Sequence, residues 1–138
     1  MIIFPFLLCL LAGSLCSCTL FGGAKNDEEA LRLAADRFST GLRWEDYKSA
    51  SAYIAPAAKE AFWEQAERLQ GRVRIMEIQV MDVGITGNGS SGNVIIRYRF
   101  FHKRNPQLQT TMLNQQWLFS DRDRVWQVVR NDLEKLMP

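Results

Sequence analysis

At Gly71 the hydrophobic period of this chain changes, and that change limits the fold to helices first and sheet second. Before it, Leu31, Ala34, Phe38 and Leu42 recur at helical spacing, with Arg32, Asp36 and Arg37 placed to face water. Asn26 is the expected N-cap, Glu29 completes a capping box, and Asp27 and Glu28 suit the positive end of the helix dipole. Gly41 marks the expected end. A second, shorter helix is expected over residues 44–52, stopping before Ala55-Pro56. A third begins at Pro56, carries Phe62, Ala66 and Leu69, and ends at Gly71. Trp44, Phe62 and Trp63 are all expected in the core.

After Gly71 apolar residues alternate and β-branched residues become frequent. The first strand spans residues 72–85, and its apolar parity shifts near Met76 and again near Asp82, which predicts β-bulges in a curved strand. Gly87 to Gly92 form a loop. Residues 93–103 follow as a strand with Val94, Ile96, Tyr98 and Phe100 on one face, then residues 108–119 after a turn at Asn105-Pro106, then residues 125–129. Pairing Lys103 with Leu108 sets Phe100 against Thr111, Tyr98 against Leu113, Ile96 against Gln115 and Val94 against Trp117. Tyr98, Thr111, Gln115 and Trp117 then line the surface under the helices, where a pocket is expected. The class is α+β: three N-terminal helices packed on a curved four-stranded antiparallel sheet.

The chain has 138 residues, 17 Lys and Arg against 15 Asp and Glu, and a formal net charge of +2. The charges are mixed from Lys25 onward with no basic stripe, so nucleic acid is not an expected partner. Before Lys25 there is no charge at all. The apolar run from Met1 to Ala12 is far short of the ~20 residues that span a bilayer, and small residues follow it. Cysteines occur at positions 9, 16 and 18 and nowhere in the folded part, which fits neither a disulfide framework nor a zinc site. No metal and no cofactor is expected.

Leu15-Cys16-Ser17-Cys18 resembles the lipobox of bacterial lipoproteins, with leucine three positions before the cysteine and a small residue just before it. The resemblance implies a signal peptide over residues 1–17, a lipidated tether over 18–25 starting at acylated Cys18, and a folded domain over 26–138. It also implies anchoring to the cell envelope without a membrane span. Thr19, in place of the aspartate that favours inner-membrane retention in enteric bacteria, points to the outer membrane. Met1-Ile2-Ile3-Phe4 has no basic residue, so either the true start lies upstream or the signal is atypical.

The element order, the Arg97-Tyr98-Arg99-Phe100 strand, Gln116-Trp117 and Val125-Trp126-Gln127-Val128 together look like the cystatin-like cone of the nuclear transport factor 2-like superfamily, which includes ketosteroid isomerases. An isomerase or lyase of that kind needs an inward base. The candidates are Asp82, which shares parity with Ile78 and Val80, and Glu77. His102, on the parity of Phe100 but at the strand's far end, reads as a rim histidine, and Asp82 lies roughly 17 to 20 Å from it at ~3.4 Å per residue. The opposite sheet face carries Arg97, Arg99 and Phe101, and superfamily members often dimerise through that surface, so it is the candidate interface for a homodimer or an envelope protein. The leading reading is a noncatalytic lipid-anchored domain that binds a small ligand or a protein. The alternatives are an isomerase-type enzyme and a structural subunit of an envelope assembly.

Overall fold

The structure is a computed structural model that describes residues 25–138. The expected signal peptide, Cys18 and the expected tether up to residue 24 lie outside the described residues. Helix α1 (Glu28–Arg43), helix α2 (Tyr47–Ser51), a 3-10 turn (Pro56–Ala58) and helix α3 (Lys59–Leu69) come first. Strands β1 (Val73–Thr86), β2 (Ser91–His102), β3 (Asn105–Ser120) and β4 (Val125–Arg130) follow, and a 3-10 turn (Leu133–Leu136) closes the order. The strands form one antiparallel sheet in the order β1-β2-β3-β4.

Helix α1 starts one residue later than the capping pattern implies. Asp27 is the N-cap, and its carboxylate accepts the Ala30 N–H at 3.1 Å. Asn26 cannot serve because it sits at φ 59, in the left-handed region, and its N–H is donated to the Gly89 carbonyl at 2.9 Å. That bond ties the start of the fold to the β1–β2 hairpin. Gly41 does not end the helix. A Cβ there would lie 3.1 Å from both the Cβ and the backbone nitrogen of Ala50, so Gly41 is the point at which α2 crosses α1 closely. The turn comes instead at Glu45, with φ 56.

Trp44 and Trp63 lie outside the core, with 61% and 45% of their surface exposed. The apolar stripe of α3 is Phe62, Ala66 and Leu69. Trp63 is one position round from that stripe and only touches Phe62 edge-on. Trp44 follows the last residue of α1, and the Arg43 guanidinium sits 5.1 Å from its ring centre.

Both expected bulges are present. The β1–β2 register shifts between Ile75 and Glu77 and again between Val80 and Asp82. At each shift two residues of β1 oppose one of β2: Met76 and Glu77 face Arg99, and Met81 and Asp82 face Ile95. The β2–β3 register differs from the expected one by two residues, with Phe100 against Gln109, Tyr98 against Thr111, Ile96 against Leu113 and Val94 against Gln115. The chain reverses at Lys103-Arg104, earlier than Asn105-Pro106, and His102 already pairs with Asn105. A shift of two keeps side-chain parity, so every residue stays on its expected face.

The concave face, with Val94, Ile96, Tyr98, Phe100, Leu113 and Trp117, packs against Leu31, Phe38 and Leu42 of α1 and Phe62 of α3 in one continuous core. Residues 53–55 run along β4, exchanging backbone bonds with Val128 at 2.7 and 2.9 Å. Among the described residues no helix is long and apolar enough to cross a membrane.

Replacing Asp27 with Ala is expected to lower stability by about 1 kcal/mol. Asn26→Gly, which keeps the left-handed conformation without strain, is expected to change it by no more than a few tenths. Urea unfolding of the two variants checks both. Equal loss in the two would move the cap back to Asn26.

Candidate functional site

Within the cone the polar groups form one small cluster. The Tyr98 hydroxyl and Ser39 Oγ share a hydrogen bond of 3.0 Å, both residues being fully buried. Trp117 Nε1–H donates to Gln115 Oε1 at 3.1 Å, two residues apart on the same strand face. An indole nitrogen can only donate, so this bond fixes the amide orientation and turns Gln115 Nε2 inward. That nitrogen has no hydrogen-bond partner of normal geometry. It lies close enough to the Tyr98 hydroxyl to favour phenolate slightly, as Ser39 does, but burial dominates and pushes the Tyr98 pKa far above the usual tyrosine range. The interior cluster is therefore neutral and suited to hydrogen bonding.

Of the expected pocket residues, Tyr98, Gln115 and Trp117 are core residues packed under the helices, and Thr111 is half-buried. Neither of the two cavities that stand out in the structure is lined by any of them. Glu77 and Asp82 do not project into the cone. Each follows a bulge residue, and the inserted residue turns its side chain from the concave face to the outer one. Both are exposed, and Glu77 pairs with Arg99 at 2.8 Å. His102 is half-buried at the sheet's end, as a rim histidine should be. Its Nε2 is 3.0 Å from the Leu136 carbonyl, which can only accept, so Nε2 carries the proton and Nδ1 faces the Gln109 amide at 3.4 Å.

The outer face gathers the expected interface residues. Arg97 bonds Gln79, Arg99 pairs with Glu77, and Phe101 is half-buried beside them. The bulges add Met76 and Met81, and β3 adds Met112 and Leu118; these four are between 42% and 46% exposed. Strand alternation alone places Met112 and Leu118 on this face, but the two bulge methionines become visible only when the bulges are resolved.

One cavity of about 550 Å3 opens at the end of the cone, where Gln70, Gly71 and Arg72 meet His102, Lys103, Arg104 and Pro138. A second, of about 440 Å3, is a groove between α1 and the stretch of β1 between its bulges, with Leu33, Ile78 and Val80 as its apolar floor. The run His102-Lys103-Arg104 was visible in the sequence; its meeting with Arg72 was not. Among the described residues no group of three or more His, Cys, Asp or Glu is placed to hold a metal.

No family model matches the chain, and no curated protein matches it. Solved structures do. A ketosteroid isomerase-like protein from Erwinia carotovora atroseptica superposes with a TM-score of 0.60 at 13% identity, over 75% of this chain and 92% of that one. An NTF2-like protein of unknown function in nutrient uptake from Rhodospirillum rubrum gives 0.58 at 13% identity, over 73% and 93%. A protein of unknown function with a cystatin-like fold from Nostoc punctiforme gives 0.52 at 12% identity, over 80% and 92%. The fold is the cystatin-like cone expected from the element order.

Two outcomes follow. In a double-mutant cycle, Ser39→Ala and Tyr98→Phe should each cost about 1 kcal/mol or more and show a coupling of about 1 kcal/mol, and additive losses would dismiss the bond. In alkali, Tyr47, raised from 10.0 to about 12 first by burial and then by Glu45, and Tyr98, raised further, hold their protons more tightly folded than unfolded. Their contribution to stability is complete below pH 10.0 and is lost as pH rises above it. Absorbance titration at increasing pH should show these two rings ionising late, with unfolding.

Proposed function

We propose that this chain is a noncatalytic, lipid-anchored protein of the bacterial cell envelope that works by binding protein with the outer face of its sheet. The observation that carries the reading is the contrast between the two faces. The concave face is filled by large side chains, whereas the outer one leaves Met76, Met81, Met112 and Leu118 substantially exposed around Arg97, Arg99 and Phe101. Methionines adapt to varied surfaces, and arginine and aromatic residues anchor interfaces. The face holds Glu77 and Asp82 as well as the two arginines, so a second copy related by a two-fold axis meets opposite charges. Another copy of the chain is therefore the first partner to test.

The address rests on Leu15 to Cys18 and on the charge-free segment before Lys25. An isomerase-type reaction would need a base within the cone, and both carboxylates considered for that role are on the outer face.

Sedimentation equilibrium of the protein should give about twice the mass of one chain, and Met112→Lys with Leu118→Lys should return it to monomer with its circular dichroism unchanged. A monomer throughout the micromolar range would end the self-association reading. Mass analysis of the protein from its native membrane should reveal an acylated Cys18 that Cys18→Ser abolishes; an unmodified full-length chain would refute the address.

A further inference from the structure

We propose that the cavity at the end of the cone is an anion site, and that its ligand is a small soluble molecule bearing a phosphate group. Backbone bonds build the site. Lys103 N–H donates to the Arg72 carbonyl at 2.9 Å, which fixes the tip of the β2–β3 hairpin against the chain that leaves α3. Gly71, at φ 74, makes the turn that brings Arg72 there, and its N–H reaches Glu45 Oε1 at 3.4 Å.

The charge is unbalanced. Arg72, Lys103 and Arg104 converge on one opening, the Pro138 terminus also lines it, and Glu45 is 3.7 Å from the Lys103 ammonium. Among the described residues Arg72 and Arg104 form no ion pair. Three cations outnumber the carboxylates near them, those of Glu45 and of the Pro138 terminus, so the opening is net positive. A phosphate group would meet that excess of positive charge. Guanidinium groups match its oxygens as forks, and the lysine adds a point charge. The volume of about 550 Å3 exceeds what a bare phosphate fills, so the site has room for an organic portion beside the Pro138 ring.

Position decides the source of the phosphate. Asn26, where the described fold begins, is bonded to the β1–β2 hairpin at Gly89, and the cavity is at the other end of those same strands. Fourteen residues of β1 separate the two ends, on the order of 40 Å at ~3.3 Å per residue. If Cys18 holds the protein to a bilayer, the headgroups of that bilayer lie at the end away from the site. The choice of a soluble ligand rests on the anchor reading; the anion site itself does not, nor does it depend on the outer sheet face.

The test is a titration of the isotope-labelled protein at 0.15 M ionic strength with inorganic phosphate and glycerol 3-phosphate, chloride serving as control, read from amide shifts. Saturable shifts centred on Gly71, Arg72 and Lys103 are expected. Arg72→Gln with Arg104→Gln should weaken binding about tenfold or more, and Arg122→Gln should leave it unchanged. Lys103→Gln gives a second variant should the double one lose its fold. Shifts that never saturate, that spread equally over Arg122 and Arg124, or that persist in the variants would overturn the site. Binding to phosphatidylglycerol vesicles without binding to either soluble phosphate would overturn the choice of ligand.

Discussion

The two bulges in β1 are the constraint on which much of the remaining structure depends. Each inserts one residue, so the strand bends around the helices and its side-chain parity is reset twice. The bend lets Val73, Ile75 and Val83 all join one core although they span most of the strand. The reset turns Glu77 and Asp82 outward beside Arg99 and Ile95, and it exposes two methionines on the same side. One backbone device thus curves the sheet, keeps carboxylates from the interior and furnishes the outer face.

The interior that results is chemically quiet. Ser39, Tyr98, Gln115 and Trp117 bring two hydroxyls, an amide and an indole together; the Tyr98–Ser39 bond ties α1 to β2, and the Trp117–Gln115 bond lies within β3. Gln115 serves two neighbours there: its oxygen accepts from Trp117, a large buried ring with a donor of its own, and its nitrogen lies near the Tyr98 hydroxyl.

Parity carried most of the fold from sequence. Val94, Ile96, Tyr98 and Phe100 alternate without a break, so their common face was legible even with the hairpin pairing displaced by two residues. The displacement arose at the turn, where Asn105-Pro106 reads as the reversal but the strand already begins at Asn105. Gly41 was misread because a glycine at a helix end and a glycine under a crossing helix look alike in one dimension. Trp44 and Trp63 were misread because size argues for burial, whereas Trp63 is out of phase with the buried stripe of α3 and Trp44 follows the end of α1. Of the candidate sites, Arg97, Arg99 and Phe101 were found from strand alternation. The basic opening was missed because Arg72 and the Lys103-Arg104 tip are joined by a tertiary backbone bond, and no local pattern reports that.

The bridge that residues 53–55 make to Val128 has a consequence for assembly. It occupies the free side of β4, and the bulges interrupt the free side of β1. Neither margin offers a long straight row of unpaired peptide groups, so copies of this domain cannot extend one another's sheet indefinitely. Contact between copies would then fall to sheet faces rather than sheet edges, and contacts of that kind can close in small symmetric groups instead of propagating as fibres.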